Sequence, residues 1–189
     1  MMIGKDTHQK MTEIICLSGG CKGADTIFGE QATLAKHKVV HWSFGGHYSK
    51  CKNLYCLTTL QLLAADKYLL EASKILKRNY PARFVYVNNL LRRNYYQIKD
   101  TERIYAVSSL DDEGIVKGGT GWAVAMGIQQ FVPEIYLFDQ EKSKWLFHHI
   151  NWQWGDIDSP PPPIGIYTGI GASELNEAGR QAIVNLYDT

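Results

Sequence analysis

Net charge is almost missing from this chain: 20 basic against 19 acidic residues leave +1 over 189 positions. A field that weak steers neither nucleic acid nor a membrane surface to the whole molecule, so an anionic ligand has to be held by local geometry. No apolar run reaches the roughly 20 residues that span a bilayer. Residues 1–10 are polar and lack an apolar centre, which excludes a signal peptide and reads as a loose, flexible leader. Cysteine is scarce, with Cys16, Cys21, Cys51 and Cys56. Both pairs are spaced C-x4-C, which is not zinc spacing, and His148 and His149, adjacent on one strand, face opposite sides. Neither G-x-G-x-x-G nor a Walker loop occurs, so the sequence asks for no metal and no cofactor. These absences leave a reducing, cytoplasmic protein, 45% hydrophobic, with enough chain for one α/β domain over residues 11–189.

What is there is glycine, placed with a pattern. Residues 13–17 are apolar and β-branched, as a buried strand is. Ser18-Gly19-Gly20-Cys21-Lys22-Gly23-Ala24-Asp25 follows, and residues 24–36 then carry helical spacing. A strand that enters a helix through a glycine turn offers free N–H groups and the positive end of the helix dipole to a phosphate. The plainer alternative is a tight turn with no ligand. Cys21 sits where a helix amino end lowers a thiol pKa, against the alternative of a small loop residue without chemistry. Cys16, inside the strand, reads as a small core hydrophobe.

Residues 38–44 form the next strand and end in Gly45-Gly46-His47, where His47 either reaches a ligand or is simply solvated. A long amphipathic helix is expected over 57–79, a short strand over 83–87 and a helix over 89–98 with Arg92, Arg93 and Asn94 near its start. Residues 103–109 read as a strand that ends in small hydroxyls. Gly118-Gly119-Thr120-Gly121 then opens a helix over 122–130. Strands at 134–139 and 144–149 suit a hairpin. Trp145, Trp152 and Trp154 fit core packing, an aromatic lid or an interface. Pro160 to Pro163 make a stiff spacer. A last strand at 164–168 enters Gly169-Ile170-Gly171-Ala172-Ser173, with Ser173 as N-cap and Glu174 in the first turn of a helix over 174–187. Three glycine loops between strand and helix lie on one carboxyl edge of an open parallel sheet, which argues for a polyanionic or nucleotide ligand.

Ser18-Gly19-Gly20-x-x-Gly23-Ala24-Asp25, Gly118-Gly119-Thr120-Gly121 and Gly169-Ile170-Gly171-Ala172-Ser173 together resemble the SMF/DprA–LOG (SLOG) superfamily. The resemblance covers most of the chain outside the leader and residues 51–82. It implies an α/β fold with a Rossmann-like, doubly wound, mostly parallel sheet in three α/β/α layers. In many relatives the strand that matches 164–168 opens the domain, so this chain is similar to a circularly permuted member. Strand 164–168 is then expected mid-sheet beside 14–17, with the chain ends close in space.

The resemblance also implies a small nucleotide-derived partner, such as a nucleotide or an ADP-ribose-like molecule, bound, sensed or sequestered in the cytoplasm by a homodimer. Neither nucleic acid nor membrane is a partner. Phosphate falls to Ser18, Gly19, Gly20, Lys22, Gly23, Gly118, Gly119, Thr120 and Gly121, with Gly169 and Gly171 on the same edge. Arg93 and Asn94 add polar contacts. Ser173 and Glu174 suit ribose hydroxyls, and Asp25 fixes the loop or touches the ligand. The alternative is the LOG branch, which cleaves the N-glycosidic bond of a nucleoside monophosphate with an arginine and the glutamate of PGGxGTxxE. Arg93 matches that arginine. The glutamate's place falls on Ala125, the threonine's on Trp122 and the proline's on Lys117. Catalysis would need Asp25, Glu30, Asp139 or Glu174 as a substitute carboxylate.

Overall fold

In the computed structural model, residues 13–149 and 153–188 are described. The expected leader and Trp152 lie outside them. The elements are β1 (Ile15–Ser18), α1 (Ala24–Leu34), β2 (Lys38–Phe44), β3 (Leu54–Leu57), α2 (Thr59–Ala64), α3 (Asp66–Leu76), α4 (Val85–Ile98), β4 (Arg103–Ser108), α5 (Gly118–Gln129), β5 (Glu134–Asp139), β6 (Lys144–His148), β7 (Trp154–Ile157), β8 (Ile166–Gly171) and α6 (Glu177–Asn185).

Eight strands form one sheet in the order β3-β2-β1-β8-β4-β5-β6-β7. Every pairing from β3 to β5 is parallel, while β6 and β7 close the other edge antiparallel. β8 lies in the middle, with Ile15 opposite Ile166 on one side and Arg103 opposite Tyr167 on the other. Two cores cover the sheet's faces, and the side chains of β4 show why. Ile104 and Ala106 join the core under α3, α4 and α5. Tyr105 and Val107 point the other way, into the core under α1 and α6. This is the three-layer, mostly parallel α/β architecture that the sequence implies.

Several expected boundaries move. Residues 83–87 are not a strand: Val85 starts α4, and the side chain of Asn88 clamps Ala82 through its N–H (2.7 Å) and its C=O (2.9 Å). The alternation there marks exposed positions on a first helical turn. The expected helix over 57–79 divides at Ala65, and its first residue belongs to edge strand β3. Thr58 stops any earlier start, because its hydroxyl accepts from Gln61 N–H while the Gln61 side chain accepts from Thr58 N–H. Gly118-Gly119-Thr120 is the first turn of α5 rather than a loop before it. Gly169 and Gly171 belong to β8. α6 starts late, because Asn176, not Ser173, caps it by accepting from Gly179 N–H at 2.7 Å.

Candidate functional site

The carboxyl ends of β1, β8 and β4 point the same way, and the chain leaves them toward opposite faces of the sheet. A crevice opens at such a switch point. Here it is a cavity of about 730 Å³, lined by the β1–α1 turn, the loop before α4, the inner face of α4, the first turn of α5 and the end of β8.

Arg93 and Asp25 form its floor. Both side chains are 3% exposed, with Arg93 Nη1 3.2 Å from Asp25 Oδ2. Asp25 also accepts from Gly171 N–H at 3.1 Å, so one carboxylate ties α1, α4 and β8 together. Burial pushes its carboxyl above the usual range. Arg93 and the amides of Gly171 and Cys21 offset that only in part. Arg93 also donates to Gln97 Oε1 (2.7 Å) and to Cys21 Sγ (3.0 Å), and its buried Nε has no partner. The guanidinium crosses Gly19 so closely that a Cβ there would lie 1.1 Å from Nη1. Gly19 is thus the gap through which Arg93 reaches Asp25.

The first turn of α5 differs in kind. Lys117 occupies its N-cap without a side-chain cap, so N–H groups of the turn stay free. Cβ atoms built on Gly118 and Gly119 would meet nothing within 4 Å. These two glycines leave bare backbone toward the cavity, where the helix dipole is positive. Asn94 holds the turn in place by donating to Gly119 C=O at 3.1 Å. Arg78 donates to Gly118 C=O (3.0 Å) and Val116 C=O (3.1 Å).

Of the residues singled out in the sequence, Asp25, Arg93, Asn94, Gly118, Gly119, Thr120, Gly171, Ser173 and Glu174 line this cavity, together with Cys21. Ser18, Gly19, Gly20, Lys22, Gly23, Gly121 and Gly169 do not. Ser18 donates to Asp25 C=O at 2.9 Å, and Lys22 is exposed. Gly20 accepts from Ser49 Oγ at 2.6 Å. Gly23 adopts φ 96°, and a Cβ there would meet Ala172 C=O at 2.3 Å. Gly121 packs on Val116 and Gly169 on Phe28. Asp25 and Glu174 are the two acids among the lining residues. Ala125, in the place of the family glutamate, is buried in the core under α5. Glu30 is exposed on α1, while buried Asp139 caps its own loop by accepting from Glu141 N–H at 3.0 Å. Neither lines the cavity.

No local pattern in the sequence singles out Arg78, Asn79 or Gln140 as lining residues, and Lys117 and Trp122 stand out in it only as departures from the family motif. Arg78 and Asn79 follow α3 inside the segment that the family pattern omits, and Gln140 is one residue past β5. A further cluster surrounds Cys21, whose Sγ lies 3.4 Å from His47 Nε2, while His47 Nδ1 is 3.0 Å from Ser43 Oγ. Burial raises the Cys21 thiol pKa, against the pull of Arg93. Burial first, then the charge of Arg93, lower His47 to about 4. Among the described residues no group of three or more His, Cys, Asp or Glu is arranged to hold a metal, and no helix is long and apolar enough to cross a membrane.

No protein-family model matches the chain, and no curated protein matches it. A crystal structure from Syntrophus aciditrophicus, described as a "putative molybdenum carrier protein", is similar in fold with a TM-score of 0.52 and 15% sequence identity. The match covers 95% of this chain and 96% of that one.

Proposed function

We propose that this chain binds a phosphate-bearing small molecule of nucleotide or ADP-ribose type in the cavity at the carboxyl edge of its sheet. The uncapped first turn of α5 carries the proposal, since Gly118 and Gly119 leave their backbone bare toward a space large enough for a nucleotide. Phosphate accepts from the N–H groups of Gly118, Gly119 and Thr120. Arg93 contributes positive charge from the floor, and Ser173 and Glu174 meet ribose hydroxyls on the opposite wall. Gly19, Gly20, Gly23, Gly121 and Gly169 act through packing, not through phosphate contact. The protein would sense or sequester its ligand in the cytoplasm. The SLOG resemblance supports this reading with its glycine pattern and a permuted strand order.

A homodimer belongs to the same proposal. Leu54, Tyr55, Leu60 and Leu63 are exposed, as is the run from Phe84 to Val87, and Val87 also lines the cavity. Size-exclusion chromatography with light scattering checks that oligomeric state.

The test is thermal shift against AMP, ADP-ribose, NAD and cyclic nucleotides, followed by chromatography of each mixture. Molybdate joins the panel because the protein of similar fold is described as a molybdenum carrier. A ligand at a hundred times its dissociation constant adds about 2.7 kcal/mol of stability. A shift with the nucleotide recovered intact supports the binding protein. Free base in the mixture would replace that with an N-glycosidase, in which Asp25 or Glu174 serves as the carboxylate. A shift with molybdate alone, or with nothing, would overturn the nucleotide reading.

A further inference from the structure

We infer that Cys21 is a nucleophile for acyl groups activated by phosphate, with His47 as its proton carrier. Four observations converge on this pair. Cys21 Sγ lies 3.4 Å from His47 Nε2, and both sit at the carboxyl edge of the sheet, on the β1–α1 turn and just past β2. His47 is oriented from behind, because its Nδ1 is 3.0 Å from Ser43 Oγ and its ring stacks on Phe44 at 5.1 Å. A nucleophile, a base in reach and a third group that orients the base are what activation of a thiol requires. Cys21 also lines the cavity, so the thiol is open to a bound molecule.

The fourth observation is Arg93. Its side chain is 3% exposed and lines the same cavity, Nη2 donates to Cys21 Sγ at 3.0 Å, and Nε has no partner. The guanidinium sets positive charge beside the thiol, where a developing oxyanion is stabilised. The next residue of α4, Asn94, holds Gly119 at 3.1 Å. Two consecutive side chains therefore join the thiol to the free amino turn of α5. A molecule with phosphate on that turn shares the cavity with Cys21, and the acyl phosphate is the class that joins a phosphate to a carbon a thiol attacks. This inference rests on the reading of the α5 turn as a phosphate seat.

The chemistry balances without a redox partner. The Cys21 S–H proton passes to His47 Nε2 as sulfur attacks the acyl carbon. The S–C bond forms, the C–O bond to phosphate breaks, and His47 returns the proton to the departing phosphate. Water then attacks the thioester carbon and gives a proton to His47. The C–S bond breaks, the thiolate recovers that proton, and a carboxylic acid leaves. In the empty cavity burial first, and then the charge of Arg93, disfavour a charged imidazole on His47. A phosphate beside Arg93 offsets the second of these and so favours proton transfer to His47 when substrate is bound.

Acetyl phosphate is the probe. The full-length protein is incubated with it, its loss is followed against buffer, and quenched protein is digested to locate acetyl groups by mass spectrometry. Loss above buffer is expected, with a hydroxylamine-sensitive acetyl group on the Cys21 peptide. Cys21→Ser should abolish both. His47→Gln should slow acetylation of Cys21 about 100-fold. Cys56→Ser, at an exposed cysteine outside the cavity, should leave the rate unchanged. Wild-type loss carried over intact into Cys21→Ser, or acetyl groups on lysines alone, overturns the inference. The AMP shift of the wild type separates the two proposals. Acetylation of Cys21 without any nucleotide shift keeps the nucleophile and removes the nucleotide seat. A nucleotide shift with Cys21 unacetylated removes the nucleophile and keeps the seat.

Discussion

Arg93 and Asp25 are the residues on which the cavity depends, because each is a buried charge and, among the described residues, the other is its ion-pair partner. Removing one partner of such a pair leaves the other uncompensated, which typically costs about 3–5 kcal/mol. Asp25→Ala is expected to lose that much in urea denaturation. Asp25→Ala with Arg93→Met should recover most of the stability, since the buried charge goes with its partner, while any ligand shift disappears. A double variant no more stable than Asp25→Ala would mean that Asp25 acts mainly through Gly171 N–H. His47 gives a pH test. Burial and the charge of Arg93 hold its folded pKa at about 4, below the ordinary 6.5, so the folded protein favours neutral imidazole. That contribution is complete above pH 6.5 and is lost as pH falls from 6.5 through 4. His47→Gln should flatten this fall by on the order of 2 kcal/mol after solvent screening is allowed for, as read from urea denaturation at pH 7 and pH 4. His37 and His41, also lowered by burial, keep part of the slope. At this scale the sequence was legible where a motif was dense, as at Asp25 and the α5 turn. Arg78 and Gln140 were not legible, since a lining role set by two distant backbone carbonyls or by one loop exit leaves no pattern in the chain.

Among the elements, glycine is where legibility breaks. Three glycine runs look alike in the sequence, yet only the run that starts α5 leaves backbone bare. The others make room for Arg93, Phe28 or a neighbouring carbonyl. The distinction lies in what stands opposite each Cα, which a strand–helix pattern does not encode. Two substitutions separate the classes. Gly23→Ala forces a side chain into φ 96° and against Ala172 C=O, so a loss of about 1–3 kcal/mol from strain is expected, with further loss from the clash. Gly119→Ala puts a methyl into open cavity on a helical residue, so stability should hold or rise by a few tenths of a kcal/mol, about what a better helix former brings. The AMP shift should fall in Gly119→Ala all the same. Urea denaturation beside thermal shift reads both, and a stable Gly23→Ala or an undiminished shift in Gly119→Ala would reverse the assignment. Segments 57–79 and 83–87 show a related limit. In the first, Leu69, Ala72 and Leu76 keep the period and reach the core, while Leu60 and Leu63 keep it and lie exposed. Val85 and Val87 alternate but are exposed on the first turn of α4, so alternation there marks no strand.

For the whole molecule, strand order is the strongest clue to how the chain was assembled. β8, last in sequence, separates β1 from β4, and its Tyr167 and Thr168 are wholly buried. α6 then returns over the same face as α1. Tyr187 meets Tyr167 at 2.9 Å between hydroxyls and His37 at 5.8 Å between rings. Ile14, next to the start of β1, packs against the same core as Tyr187. The two described ends of the chain therefore pack against one core, under α1 and α6, an arrangement that suits a change of connection. Residues 159–163, which deliver the chain to β8, form no helix or strand. A permutant that starts at Ser159, runs through α6, joins 188 to 13 by a short Gly/Ser linker and ends at Asp158 places β8 first in the chain, directly ahead of α6 and β1. It is expected to fold with the wild-type circular dichroism spectrum, to melt cooperatively and to keep the nucleotide shift, since every site residue returns to the same strand end. A permutant that fails to fold would mean that the link from β7 to β8 shapes the sheet and is not a removable connection. A permutant that folds and loses the shift would place part of the ligand's seat in that link, not on the strand ends.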